Sequence, residues 1–110
     1  MRRPIAGTFA KIESNQYNYA MHSYLVIYEL NELRGDYQPL VNKIVNLFAH
    51  YFAVSNSAWI VTSDLFPEDI VVILKQYIYI NDKILVVKAD RSAAWEGLTV
   101  DDERWLKNYL

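Results

Sequence analysis

The chain has 110 residues, 53 % of them hydrophobic, and a formal net charge of −2, which fits one domain with a real core and argues against nucleic-acid binding driven by bulk positive charge. It has no cysteine, so disulfides, thiolate metal sites and a cysteine nucleophile are excluded, and a small chain without such staples points to a cytoplasmic protein. No apolar run approaches the ~20 residues that span a bilayer, and no apolar stretch of signal-peptide type follows Arg2 and Arg3.

Residues 1–21 read as an N-terminal extension, and residues 22–110 as the folded domain. The first twenty carry Arg2, Arg3 and Lys11 against Glu13, a local charge of +2, which leaves −4 for the remainder. Two readings of this stretch stay open. It extends the domain, packing through Ile5, Phe9, Ile12, Tyr17 and Tyr19, or it precedes an original start at Met21.

The run SYLVIYEL at 23–30 is rich in β-branched and aromatic residues and predicts a strand. Residues 31–36, with Gly35, predict a loop in which Asp36 caps the next helix and Pro39 falls in its first turn. Over 37–50, Leu40, Val41, Ile44, Leu47 and Phe48 recur at helical spacing. Residues 51–54 and 58–62 then form a hairpin around Ser55, Asn56 and Ser57. Pro67, with Glu68 and Asp69 behind it, opens a second helix whose stripe is Ile70, Val71, Leu74, Tyr77 and Ile78. Asn81 and Asp82 mark a turn, and ILVVKA at 84–89 a further strand. Thr99 caps a terminal helix with Asp101, Asp102 and Glu103 in its first turn, Lys107 in its last, and Trp105, Leu106 and Tyr109 as anchors.

The order β-α-β-β-α-β plus a helix predicts an α+β, ferredoxin-like sandwich: a four-stranded antiparallel sheet with both crossover helices on one face. In the first strand Tyr24, Val26 and Tyr28 alternate with Leu25 and Ile27, so both faces are apolar. The expectation is that Tyr24, Val26 and Tyr28 lie on the face without helices and are covered by a second copy, making a homodimer; the alternative is that residues 1–20 or 91–110 cover this face within one chain.

Candidate chemistry is sparse. Glu29, near the carboxyl end of the first strand, is placed as a catalytic and Mg²⁺-binding carboxylate would be. Its ordinary role is a solvated strand-end residue paired with Arg34 or Lys88. His22 and His50, the two histidines, have no partners at metal or triad spacing. The serines lack a nucleophile-elbow context, and the three glycines are isolated, so no phosphate loop is present. The tyrosines and tryptophans offer base-stacking surfaces, but without interleaved basic residues around Tyr24 and Tyr28 they read as packing groups.

The stretches SYLVIYELN (23–31), SAWIVTSDLFPEDIVVILKQYI (57–78), NDKILVVK (81–88), AAWEGL (93–98) and WLKNYL (105–110) together resemble small bacterial and phage proteins of the SinR family, relatives of the ferredoxin-like CRISPR-associated small endonucleases and VapD-type toxins. The resemblance covers about residues 22–110. It implies a homodimer in which an acid ending the first strand of each subunit holds Mg²⁺ for phosphodiester cleavage, with nucleic acid as partner. That position, Tyr-Asp in the wider superfamily, is Tyr28-Glu29 here, and Asn56 stands where SinR-like members carry an acid. The alternative implied by the scaffold is a non-catalytic dimeric interaction module in a defence or toxin–antitoxin setting. No helix-turn-helix accompanies the resemblance.

Overall fold

The computed structural model describes residues 21–90 and 92–110. The elements run β1 (His22–Glu29), α1 (Gln38–Leu47), β2 (Tyr51–Ser55), β3 (Ala58–Ser63), α2 (Pro67–Leu74), β4 (Lys83–Ala89) and α3 (Val100–Tyr109). The strands form one antiparallel sheet in the order β2-β3-β1-β4. The protein is thus an α+β sandwich of ferredoxin-like type with an added C-terminal helix. Residues 1–20 of the proposed extension lie outside the described residues.

The helix boundaries follow local chemistry. The N-cap of α1 is Tyr37, not Asp36. Asp36 instead accepts the Gln38 N–H at 3.1 Å, an Asx turn just ahead of the helix. Pro39 sits in the first turn, and the helix stops at Phe48, which turns extended. In α2, Pro67 occupies the start, with Glu68 and Asp69 near the positive end of the helix dipole. The α-helix ends at Leu74 and tightens into a 3-10 turn over Lys75–Tyr77. Tyr77 and Ile78 still pack on the core from outside the α-helix. Thr99 caps α3: its hydroxyl accepts the Asp102 N–H, and the Asp102 carboxylate accepts the Thr99 N–H, both at 3.1 Å.

The core contradicts one expectation. Tyr24, Val26 and Tyr28 are 2 %, 0 % and 4 % exposed and cluster with Leu40 and Ile44 of α1 and Ile70 and Leu74 of α2. They lie under the helices and are unavailable to a partner. Both faces of β1 are apolar, but this triplet carries the larger rings, and the helix side also meets their polar tips. The Tyr24 hydroxyl donates to the Leu65 carbonyl at 2.7 Å, and Trp59 Nε1–H donates to the Tyr28 hydroxyl at 2.8 Å. Buried phenols and indoles need such partners.

The second face of the sheet therefore carries Leu25 and Ile27, with Ile60 of β3 and Leu85 and Val87 of β4 beside them in register. Helix α3 covers one end of this face. Trp105 stacks on Phe52 at 5.5 Å, Tyr109 stacks on His50 at 3.9 Å, and the Ser23 hydroxyl donates to the Tyr109 carbonyl at 3.0 Å. The other end stays open: Ile27, Leu85 and Val87 are 36 %, 56 % and 44 % exposed.

Two substitutions test this packing by urea denaturation. Ile44→Ala, at a fully buried position, lowers stability by about 2–5 kcal/mol. Tyr28→Phe keeps the ring but removes the acceptor for Trp59 Nε1, and lowers stability by about 1–3 kcal/mol.

Candidate functional site

Alternation along β1 puts Glu29 on the second face, in line with Leu25 and Ile27. The antiparallel register sets it directly opposite Lys83 of β4. The Glu29 carboxylate lies 3.6 Å from Lys83 Nζ, and both side chains are largely exposed. Its partner is thus neither Arg34 nor Lys88 but the residue that the sheet places across from it. An exposed pair of this kind contributes about 0–1 kcal/mol, so it tethers the carboxylate only weakly.

The β2–β3 turn reaches the same end of the sheet. Tyr28 N–H donates to the Ser57 carbonyl at 3.0 Å, which brings the turn containing Asn56 alongside the end of β1. The two positions singled out by the resemblance, Glu29 and Asn56, therefore share one end of the sheet.

Next to Glu29 lies a cluster that the sequence reading passed over as a simple turn. The Asp82 carboxylate accepts the Asn31 N–H at 2.6 Å, the Tyr79 N–H at 2.8 Å and the Tyr37 hydroxyl at 2.7 and 2.9 Å to its two oxygens. The Asn31 side-chain amide donates to the Asn81 carbonyl, and the Tyr79 hydroxyl accepts the Asp36 N–H. Tyr37 and Tyr79 meet edge to face at 5.5 Å. Together these contacts lock the β1–α1 loop to the turn before β4. Gly35 is required for the fit, because a Cβ there would stand 2.7 Å from the Tyr79 ring. The signal available in the sequence was an Asp followed directly by a strand, with Tyr79 three residues before it and Tyr37 far away in the chain.

Electrostatics match this geometry. Partial desolvation pushes the Asp82 carboxyl upward, but the Asn31 and Tyr79 amides and the Tyr37 hydroxyl favour the charged form and hold it below its ordinary value. Tyr37 moves the other way, raised by desolvation and by the hydrogen bond it donates to Asp82. Both Asp82 oxygens are occupied by donors, so this carboxylate binds a cation only by giving up the loop clasp. Glu29, by contrast, is engaged only through the one oxygen that faces Lys83 among the described residues.

The histidines take structural positions. His22 meets Tyr24 edge-on, and its pKa is lowered by burial and then by Lys88. His50 accepts the Thr62 N–H at its carbonyl and stacks on Tyr109. Among the described residues, no three His, Asp or Glu side chains gather as a metal-binding group, and no helix is long and apolar enough to cross a membrane.

No family model, curated protein or solved structure matches the chain.

The clasp predicts a pH dependence with a defined sign. The folded pKa of Asp82 lies below its ordinary 3.8, so its stabilisation is full above that value and is lost as pH falls through the lower folded one. The gap in urea midpoint between wild type and Asp82→Ala therefore stays constant from neutral pH down to 3.8 and narrows below it.

Proposed function

We propose that the protein works as a homodimeric interaction module, joined through the second face of its sheet. The observation that supports this most directly is the open patch of Ile27, Leu85 and Val87 beside the end covered by α3. Apolar side chains at this exposure on the flat face of a sheet gain free energy by meeting another surface. A two-fold axis through the patch gives each subunit the same contact, which is the commonest way such a face is used. A stable contact buries about 800 Å² per partner, so it extends past these three side chains to the Glu29–Lys83 pair at their rim. The surface is the reverse of the one first expected, because the helices take Tyr24, Val26 and Tyr28.

The same correction favours a second reading, a divergent Mg²⁺-dependent nuclease. Glu29 shares its face with the patch, so a two-fold contact there draws the Glu29 carboxylates of the two subunits toward one axis. Two carboxylates approaching each other are the group that a hard divalent cation would bind, polarising a phosphate and activating water. The engagement of each Glu29 by Lys83 weighs toward the non-catalytic module, as does the −4 charge of residues 21–110 against a polyanionic substrate.

Two measurements separate these readings. In sedimentation across a concentration series, wild type dimerises and Val87→Asp remains monomeric with an unchanged melting temperature. A monomeric wild type at every concentration removes the dimer. In a cleavage assay on labelled single- and double-stranded RNA and DNA with Mg²⁺ or Mn²⁺, wild type and Glu29→Ala are both inactive if the protein is an interaction module. Metal-dependent cleavage that disappears in Glu29→Ala establishes the nuclease instead.

A further inference from the structure

We infer that the two turns joined by the Asp82 clasp present Leu33 and Ile80 as a pair of apolar prongs, on which a basic amphipathic helix of a partner protein docks. This extends the interaction-module reading to a second surface and does not depend on the dimer contact.

The Gly35 N–H donates to the Glu32 carbonyl at 3.0 Å, and the Asp82 N–H to the Tyr79 carbonyl at 2.9 Å, so 32–35 and 79–82 are both closed β-turns. Leu33 and Ile80 occupy the same place in them, the first of the two central positions. Turns ordinarily use Gly, Pro, Asn, Asp and Ser. Here the two aliphatic side chains are 100 % and 98 % exposed, more than any other large apolar residue among those described. One exposed leucine is ordinary. Two at matching positions, on turns that touch where Gly35 closes on the Tyr79 ring, make a paired feature.

The clasp holds the pair still. Asp82 gathers Asn31, Tyr37 and Tyr79, and the Tyr79 hydroxyl returns to the Asp36 N–H. Anchors fixed before binding lose little freedom when a partner arrives, so more of their burial appears as affinity.

Backbone commitments select the form of the partner. The N–H groups of Asn31, Glu32, Gly35, Asp36, Tyr79 and Asp82 all donate within the two turns. They are therefore engaged and do not serve an added strand or cradle an anion. Recognition falls to side chains, and a helix, whose backbone bonds are internal, offers a surface of side chains alone. Charge selects its sign. Around the prongs Glu29, Glu32, Asp36 and Asp82 stand against Arg34 and Lys83, a local charge of −2, and residues 21–110 carry −4. This field opposes an anionic membrane or nucleic acid and favours lysines flanking an apolar stripe.

The test is calorimetric titration of the full chain with a synthetic amphipathic helix of leucine and lysine, beside a control helix in which glutamate replaces every lysine. The expected result is saturable binding of the lysine helix alone, weakened at least tenfold in Leu33→Ser/Ile80→Ser. Both positions are exposed, so the urea midpoint and the sedimentation of that variant match wild type. Tyr37→Phe keeps the prongs and the charge but removes the hydroxyl bound to Asp82, and it binds several-fold more weakly. Binding that fails to saturate, equal binding of the glutamate helix, or an affinity that either variant leaves unchanged overturns the inference. A monomeric wild type that binds the lysine helix through Leu33 and Ile80 supports it while removing the dimer.

Discussion

The pairing of β1 on both of its edges is the constraint from which the rest of the molecule follows. β3 and β4 hydrogen-bond to it on either side, so its two-residue alternation assigns a face to every side chain of the three strands. Once Tyr24, Val26 and Tyr28 lie beneath α1 and α2, Leu25, Ile27 and Glu29 must lie together on the other side. A one-residue slip would exchange the two sets and break the Tyr28–Trp59 hydrogen bond. The location of the candidate site is thus a consequence of core packing and needs no separate device.

Much of this was readable from local pattern. Helical spacing located α1 and α2, Pro67 marked the start of α2, and Thr99 with Asp102 marked the start of α3. What local pattern could not supply was the choice between two apolar faces of one strand. Tyr24, Val26, Tyr28 and the pair Leu25, Ile27 both satisfy a buried alternation. The choice depends on ring volume and on acceptors and donors at Leu65 and Trp59, which are remote in sequence. The cap of α1 was misplaced by one residue for a smaller reason: Asp36 does bond a backbone N–H there, but ahead of the helix.

Legibility of the site was poorer than that of the fold. Glu29 was found because strand ends are where carboxylates act, yet its partner required the β1–β4 register. The Asp82 cluster was invisible because its partners, Tyr37 and Asn31, lie 45 and 51 residues away in the chain. As a result, an acidic residue that draws the eye in the structure is committed to holding two loops together, while the weaker-looking Glu29 is engaged, among the described residues, only through the oxygen that faces Lys83.

The strand order also bears on how the chain is made. β1 is among the first segments of the domain to be synthesised and β4 is the last strand, yet they are neighbours in the sheet. While β1, α1, β2, β3 and α2 already exist, one edge of β1 waits with unpaired amides and carbonyls between two apolar faces. An edge of that kind is a template for pairing with other nascent chains. β4 pairs with β1 only after residue 89 leaves the ribosome, so the interval of translation between α2 and β4 is when this edge of β1 has no partner strand of its own.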